Sequence, residues 1–222
     1  MTSYCSTSAG VAEAAAGFPP LTSSRSTWSV RDTHRLIGKL QLGRVDLLGF
    51  STGGRAAMQF VHKHPAQVRR LVLASTSAYA SQDNDRFLAG WDEYQQRRRA
   101  EEAADGRLRN STIFVWDLER AAAYLELLES LGNDTGDWSV ERAITGAMHP
   151  WCPGDPEQIL RDCGKPVLIL HGEKDVGFPV QLARRLYAAV PNSRLTVIPG
   201  TAHMCHFEDP TRWSGHIREF LR

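Results

Sequence analysis

Short apolar runs alternate with helix-like stretches along most of the chain. Each run is continuous rather than interleaved with polar residues, which is typical of strands buried on both faces of a parallel sheet. The runs lie near residues 44–50, 68–75, 166–171 and 194–199. Because helix-like stretches separate neighbouring runs, the pattern predicts an α/β fold in which about four parallel strands, flanked by helices, lie side by side in chain order.

The alternation is interrupted at two places. The first 27 residues are rich in Ser, Thr, Ala, Gly and Pro and lack apolar periodicity, which predicts a flexible N-terminal arm. Between the second and third runs, three helix-like stretches carry Trp91, Trp116 and Trp138 on their apolar sides, and we interpret them as an inserted helical cap. The predicted division is an arm at 1–27, a first core part at 28–77, the cap at 78–160 and a second core part at 161–222.

Composition and charge narrow the class of protein. The 222 residues are 42% hydrophobic, which is enough for one sizeable core. Lys and Arg total 26 against 25 Asp and Glu, so a net charge of +1 gives no electrostatic basis for binding nucleic acid or an anionic membrane. No apolar stretch approaches the roughly 18 residues of a membrane helix, and the N-terminus does not resemble a signal peptide. We therefore expect a cytoplasmic protein without a membrane partner.

The cysteines do not predict a disulfide framework or a metal site. None of the four forms a C-x-x-C pair, so free thiols in a reducing compartment are expected. The sequence HMCH at 203–206 contains metal-ligand residue types, but no second cluster has matching spacing. Cys205 within it is interpreted as a spectator thiol, because no tight turn surrounds it. We therefore predict neither a metal nor a cofactor.

The sequence GFSTGG, residues 49–54, connects the first apolar run to a helix-like stretch. It contains the G-x-S-x-G pattern of a tight strand-to-helix turn that presents a nucleophilic serine, here Ser51. Glycines are expected at positions 49 and 53 because side chains there would clash in such a turn. The same pattern also arises by chance in glycine-rich loops, so its context decides between a nucleophile and an ordinary serine.

Two further residues at strand ends match the needs of a serine nucleophile. A serine hydroxyl is a weak nucleophile near neutral pH unless a base accepts its proton and a carboxylate orients that base. Asp175 follows the third apolar run, and His203 follows the fourth. We therefore predict that Ser51, Asp175 and His203 converge in the folded chain.

With these motifs the chain resembles the α/β-hydrolase family, whose catalytic residues follow the order serine, acid, histidine. GFSTGG is similar to the nucleophile turn of cofactor-free haloperoxidase-like esterases. HGEKD and AHMCHFEDP are similar to the acid and histidine loops of many branches, including lactonases and proline iminopeptidase-like enzymes. The resemblance covers roughly residues 28–77 and 161–222, and the cap only in position and helical character. It implies a cofactor-free hydrolase in which Ser51 attacks, His203 transfers the proton and Asp175 orients the imidazole.

Other polar residues compete for these roles. His206 lies three residues beyond His203, but the family-like wording PGTAHM places the base at His203. His149 and His171 are interpreted as structural or cap residues. Three rivals of Asp175 are interpreted as solvated loop charges: Glu173, Glu208 and Asp209.

The chain departs from the family before Ser51. The family fold has about eight strands, several of them before the nucleophile, whereas only about 50 residues precede Ser51 here. The backbone N–H of Thr52 is an expected oxyanion-hole donor, but no earlier segment matches the H-G loop that helps to supply a second one. The expected explanations are a shortened or mis-started reading frame, a degenerate family member, or a chain completed by a partner.

The expected function is hydrolysis of an ester, lactone or related acyl bond in a small, fairly apolar molecule, with weak turnover because one oxyanion donor is lacking. Two alternatives stay open. One is a catalytically impaired or non-catalytic relative, and the other is a proline iminopeptidase-like aminopeptidase whose cap acids, such as Glu126 and Glu129, bind an amine. The strand at 44–50 would lie at an exposed sheet edge, which predicts self-association or poor solubility.

Overall fold

The structure, a computed structural model, describes residues 25–79, 91–104, 114–131 and 155–222. The predicted arm lies outside these residues except for its last three positions. In chain order the elements are α1 (Arg25–Lys39), β1 (Val45–Phe50), α2 (Thr52–Lys63), β2 (Val68–Ala74), α3 (Trp91–Ala104), α4 (Leu118–Ser130), α5 (Pro156–Cys163), β3 (Val167–Gly172), α6 (Val180–Ala189), β4 (Ser193–Ile198), α7 (Cys205–Glu208) and α8 (Pro210–Leu221).

The sheet contains four parallel strands in the order β1-β2-β3-β4. This confirms the predicted fold class and strand order, and each strand begins and ends within one residue of its predicted position. The continuous apolar runs identify these strands correctly because helices cover both faces of the central strands. Apolar side chains are therefore favoured on both faces. β3 is accordingly buried along its whole length, and β2 is buried from Leu71 onward.

The alternation of side chains along β2 and β3 divides the core into two layers. On one face, Leu71 and Leu73 of β2 pack in a cluster with Phe60 of α2, to which α1, α5 and α6 also contribute. On the other face, Val72 packs in a cluster with Trp213 of α8. Successive residues of a strand point to opposite faces. One strand therefore anchors helices on both sides of the sheet.

β1 occupies one edge of the sheet as far as the described residues extend. Its apolar side chains Val45, Leu47 and Leu48 are each partly exposed. The self-association predicted for this strand stays a prediction, since an edge strand offers unpaired backbone groups without showing what pairs with them. None of the described helices is long and apolar enough to cross a membrane.

The described part of the predicted cap at 78–160 contains α3, a short turn, α4 and the first five residues of α5. Trp116 lies in that turn and is partly buried, whereas Trp138 and the side chain of Trp91 lie outside what the structure describes. The sequence analysis did not predict α5 as a separate helix. The helix is short, but residues typical of helix ends stand at both of its ends. Asp155 caps the first turn, Pro156 occupies the first helical position, and Gly164 ends the helix in the left-handed conformation.

The turn between β1 and α2 is strained at Ser51. Its backbone has φ 53° and ψ −125°, a region that costs a residue with a side chain about 1–3 kcal/mol. A Cβ on Gly49 would lie 2.5 Å from the Gly53 carbonyl oxygen, so only glycine fits there. The prediction that Gly53 also avoids a clash is wrong, because a Cβ at that position would meet no atom within 4 Å. The second glycine of this turn at which a Cβ would clash is Gly54, where the Cβ would meet the Thr76 side chain.

Replacing Gly49 by Ala is expected to lower the free energy of unfolding by about 1–3 kcal/mol, because the new methyl group meets backbone atoms that cannot move independently. Gly53→Ala is the matched control. It should leave stability unchanged or raise it by up to about 1 kcal/mol, since alanine loses less entropy than glycine in a helix. Urea unfolding followed by circular dichroism measures both. Equal destabilisation by the two variants would contradict the described turn.

Candidate active site

The residues predicted to converge lie at one end of the sheet. Ser51 follows β1 directly, Asp175 lies in the loop after β3, and His203 lies in the loop after β4. Since the strands are parallel, their carboxyl ends and the loops that follow them meet at the same edge. The topology therefore places three residues from distant parts of the chain around one position.

Hydrogen bonds join these three side chains in a row. Ser51 Oγ lies 3.0 Å from His203 Nε2, and His203 Nδ1 lies 2.9 Å from Asp175 Oδ2. An ionised carboxylate only accepts, so Nδ1–H donates to Asp175 and Nε2 is left to accept the Ser51 hydroxyl proton. This is the arrangement of nucleophile, base and orienting acid that serine chemistry requires.

The acid loop is held by backbone contacts on both sides of Asp175. Asp175 Oδ1 accepts a hydrogen bond of 2.8 Å from the backbone N–H of Phe178. At the end of β3, a Cβ on Gly172 would lie 2.1 Å from the carbonyl oxygen of Ala202. Glycine at this position therefore allows the acid loop and the histidine loop to approach each other, and any side chain would separate Asp175 from His203.

His171 lies beneath the acid loop and is fully buried. Its Nε2 donates a hydrogen bond of 2.5 Å to the carbonyl oxygen of Phe178 and lies 3.6 Å from Asp175 Oδ2. Burial lowers the pKa of His171, so the neutral imidazole is favoured. Its contacts agree with the structural role interpreted from the sequence. His149 lies outside the described residues.

Three aromatic rings surround the His203 imidazole. The ring centroids of Phe50, Phe178 and Phe114 lie 5.1, 5.5 and 6.3 Å from that of His203. Sequence reasoning missed all three as site residues. Phe50 lies within the GFSTGG motif and Phe178 lies three residues after Asp175. Phe114 comes from the segment before α4, and no local signal connects it to the histidine loop. The imidazole packed among these rings belongs to a residue that is only 6% exposed, and low exposure to water strengthens its polar contacts.

His206 does not compete for the position of the base. Its ring packs edge-on against Phe50, with a centroid distance of 4.8 Å, and against Trp213 at 5.7 Å. Its Nδ1 is buried and has no hydrogen-bond partner among the described residues. Burial lowers the pKa of His206, and the neighbouring His203 lowers it further by a smaller amount.

Cys205 is buried at the start of α7, where its Sγ lies 3.5 Å from Ser75 Oγ. Burial raises the pKa of this thiol to about 12. The thiolate is the nucleophilic form of cysteine. Cys205 is therefore protonated near neutral pH and held away from solvent, in agreement with its interpretation as a spectator.

The three rival acids differ in their surroundings. Glu173 is exposed, and its Oε2 accepts a 3.0 Å hydrogen bond from the backbone N–H of Gly200. Asp209 caps α8 by accepting from the backbone N–H of Arg212. The interpretation of Glu208 as a solvated charge is wrong, because this side chain is only 4% exposed. Burial raises the pKa of Glu208, although three backbone N–H groups oppose the shift.

Thr52 is the first residue of α2 and is exposed. The first N–H groups of a helix lack a partner within the helix, so its backbone N–H is free of the helical ladder and lies next to Ser51. Within the described ranges, no group of three or more His, Cys, Asp or Glu residues is placed to hold a metal ion.

Comparison with known proteins gives one consistent fold. A family model described as the alpha/beta hydrolase fold matches residues 17–210. The uncharacterized hydrolase YugF of Bacillus subtilis is 26% identical over 218 residues, which is 92% of this chain and 78% of that protein. An uncharacterized protein of Mycobacterium tuberculosis is 30% identical over 203 residues, which cover 84% of this chain but only 58% of the relative.

A solved structure agrees with the sequence relatives. The serine hydrolase CCSP0084 of the polyaromatic hydrocarbon-degrading bacterium Cycloclasticus zankles superposes with a TM-score of 0.61 at 18% identity. The superposition covers 88% of this chain and 71% of that protein. At 18% identity this similarity shows a shared fold.

The Cys205 thiol is expected to resist alkylation by iodoacetamide in the folded protein at mildly alkaline pH, because its pKa of about 12 keeps it protonated. In denaturant the same residue should react readily. Mass spectrometry of proteolytic peptides after timed labelling measures the difference. Rapid modification of Cys205 in the native protein would show that the thiol is accessible.

Stability is expected to fall as the pH drops from 7 to about 5.5, partly through His206. In the unfolded chain this histidine binds a proton near its ordinary pKa of 6.5, whereas burial lowers that pKa in the folded state. Protonation therefore favours unfolding as the pH falls. His206→Phe keeps an aromatic ring at this position and removes the titration, so its unfolding free energy should depend less steeply on pH.

Urea unfolding at several pH values measures that dependence for both proteins. The stability difference well above neutral pH, where the imidazole is neutral in both states, isolates the effect of the substitution on packing. An identical pH dependence in wild type and His206→Phe would contradict the prediction.

Proposed function

The chain belongs to the α/β-hydrolase fold family, and on that premise we propose that it is a serine hydrolase that cleaves an ester, lactone or related acyl bond. The observation that carries the proposal is the row of hydrogen bonds from Ser51 through His203 to Asp175, with distances of 3.0 and 2.9 Å. Family membership alone leaves the chemistry open, because one fold supports many activities. The geometry of the site supports nucleophilic acyl transfer as the reaction type.

In the proposed reaction, Ser51 Oγ attacks the acyl carbon while its proton passes to His203 Nε2. Asp175 stabilises the resulting imidazolium through Nδ1–H. The resulting tetrahedral intermediate collapses as the bond between the acyl carbon and the leaving oxygen breaks. His203 donates its proton to that oxygen, which becomes an alcohol, and an acyl-serine remains. Water, deprotonated by the same imidazole, hydrolyses this ester and restores Ser51.

The developing oxyanion needs a hydrogen-bond donor beside Ser51. We assign the backbone N–H of Thr52 to this role, because it begins α2 and lies next to the nucleophile. The N-terminus of α2 adds a favourable dipole. Loss of one such donor typically slows acyl transfer roughly a hundredfold to a thousandfold, which is the size of the contribution that we propose for the Thr52 N–H.

The surroundings of the site favour an apolar acyl group. Phe50, Phe114 and Phe178 ring the imidazole. A further apolar cluster joins the segment before α4 and α4 itself to Met204 and Phe207 beside the histidine loop. Desolvating a charged substrate against this surface would be costly. We therefore propose small esters or lactones with apolar acyl groups as substrates.

A fluorophosphonate probe is expected to add one adduct to the wild-type protein, at Ser51, because such probes phosphonylate activated serines. Ser51→Ala should abolish the adduct. Asp175→Asn should slow labelling by roughly 10³- to 10⁴-fold, since the amide favours the wrong tautomer of His203. Intact-mass and peptide mass spectrometry measure the adduct and its position.

Ser75→Ala is the matched control. Ser75 also follows a strand and has a positive φ of 43°, but it is fully buried, so its removal should leave labelling unchanged. An adduct that persists in Ser51→Ala would contradict the assignment of the nucleophile. Absence of any adduct in the folded wild-type protein would favour the non-catalytic alternative.

A further inference from the structure

Glu208 is a buried carboxylate that the proposed reaction does not use. It ends α7 and is 4% exposed. Its Oε2 accepts a hydrogen bond of 2.6 Å from the backbone N–H of Ala202. Its Oε1 accepts from the backbone N–H groups of Trp116 and Asp117, at 2.7 and 3.2 Å. One carboxylate therefore connects the histidine loop to the turn that begins α4.

The contacts of this turn flank His203 on both sides. Ala202, immediately before the histidine, bonds to Glu208. Met204, immediately after it, donates its backbone N–H to the carbonyl oxygen of Phe114 at 2.7 Å. In addition, the Arg120 guanidinium of α4 donates to the backbone carbonyl of Glu208. The backbone that carries the imidazole is thus fixed against the segment from 114 to 120 rather than by its own loop alone.

We propose that Glu208 is a positioning residue for His203, whose carboxylate holds the histidine loop against the start of α4 and so sets the distance from the imidazole to Ser51. This inference rests on the proposed function. A carboxylate suits the place because both oxygens face N–H donors, and an ionised carboxylate has acceptors only. The same contacts hold the turn before α4 in place, and this turn carries Phe114 next to the imidazole.

The sharpest variant is Glu208→Gln. It keeps the shape of the side chain, but its NH₂ group must face at least one backbone N–H, so either the Ala202 contact or the contacts to Trp116 and Asp117 are lost. Glu173→Gln is the matched control. Glu173 is an exposed acid in the neighbouring loop that also accepts a backbone N–H, from Gly200, and it has no contact with the segment before α4 among the described hydrogen bonds.

The first measurement is the second-order rate of fluorophosphonate labelling at Ser51, corrected for the folded fraction by circular dichroism. We expect Glu208→Gln to slow labelling about tenfold to a hundredfold, because a small misplacement of a catalytic group is enough for such a loss. With p-nitrophenyl butyrate the loss should appear in kcat with little change in KM. Glu173→Gln should label at the wild-type rate.

The second measurement is specific to the geometry of His203. The Nδ1–H proton that His203 donates to Asp175 is expected as a ¹H NMR resonance far downfield of the amide region. His203→Gln assigns it by its disappearance. In Glu208→Gln the resonance should shift or broaden, and in Glu173→Gln it should not. A role confined to overall stability would lower the melting temperature and leave both the resonance and the corrected labelling rate unchanged.

Arg120→Gln tests the same contact if Glu208→Gln does not fold. Arg120 is exposed, so its replacement leaves no buried charge, yet it removes a bond between α4 and Glu208. We expect slower labelling and a shifted resonance, both smaller than in Glu208→Gln. If wild type is labelled at Ser51 but the folded variants keep the wild-type labelling rate and resonance, the role of Glu208 is overturned and the proposed function stands. Absence of labelling in wild type would overturn the proposed function and this inference together.

Discussion

The common direction of β1, β3 and β4 is the constraint on which the site depends. Parallel pairing brings the loops after these strands to one edge, although 152 residues separate Ser51 from His203. A reversed strand of six residues would carry its loop about 20 Å away, to the opposite end of the sheet. The hydrogen bonds among Asp175, His203 and Ser51 can therefore form only when these strands are paired in parallel within the sheet.

Close backbone approach and buried polar groups are the two costs of this arrangement. The strained turn at Ser51 is held by β1 and α2, and glycine at position 172 avoids a Cβ that would separate the acid and histidine loops. Asp175, His171 and His203 are all buried in the same region. Burying polar groups is unfavourable unless they are hydrogen-bonded. Here the partners are the backbone of Phe178, the side chains of these residues themselves and Ser51. Strain and polarity are thus concentrated where the chemistry is proposed to occur.

Local patterns were sufficient for the framework of the protein. The continuous apolar runs located the four strands, because burial on both faces leaves a signal within each short segment. The strand-to-helix glycine pattern and the positions just after strands pointed to Ser51, Asp175 and His203, since the ends of parallel strands are where such residues can meet. The helix at 156–163 escaped prediction because eight residues are too few to establish a period.

Tertiary structure alone decided the surroundings of the site. Glu208 looks like a loop charge in the sequence, and only its folded neighbours make it a buried acceptor. Gly53 satisfies the motif but occupies open space, whereas Gly54 meets Thr76 across the turn. Phe114 reaches the imidazole from the segment before α4. Sequence encodes burial and backbone conformation over a few neighbouring residues, but contacts between distant segments depend on how the layers pack, and no local pattern records that.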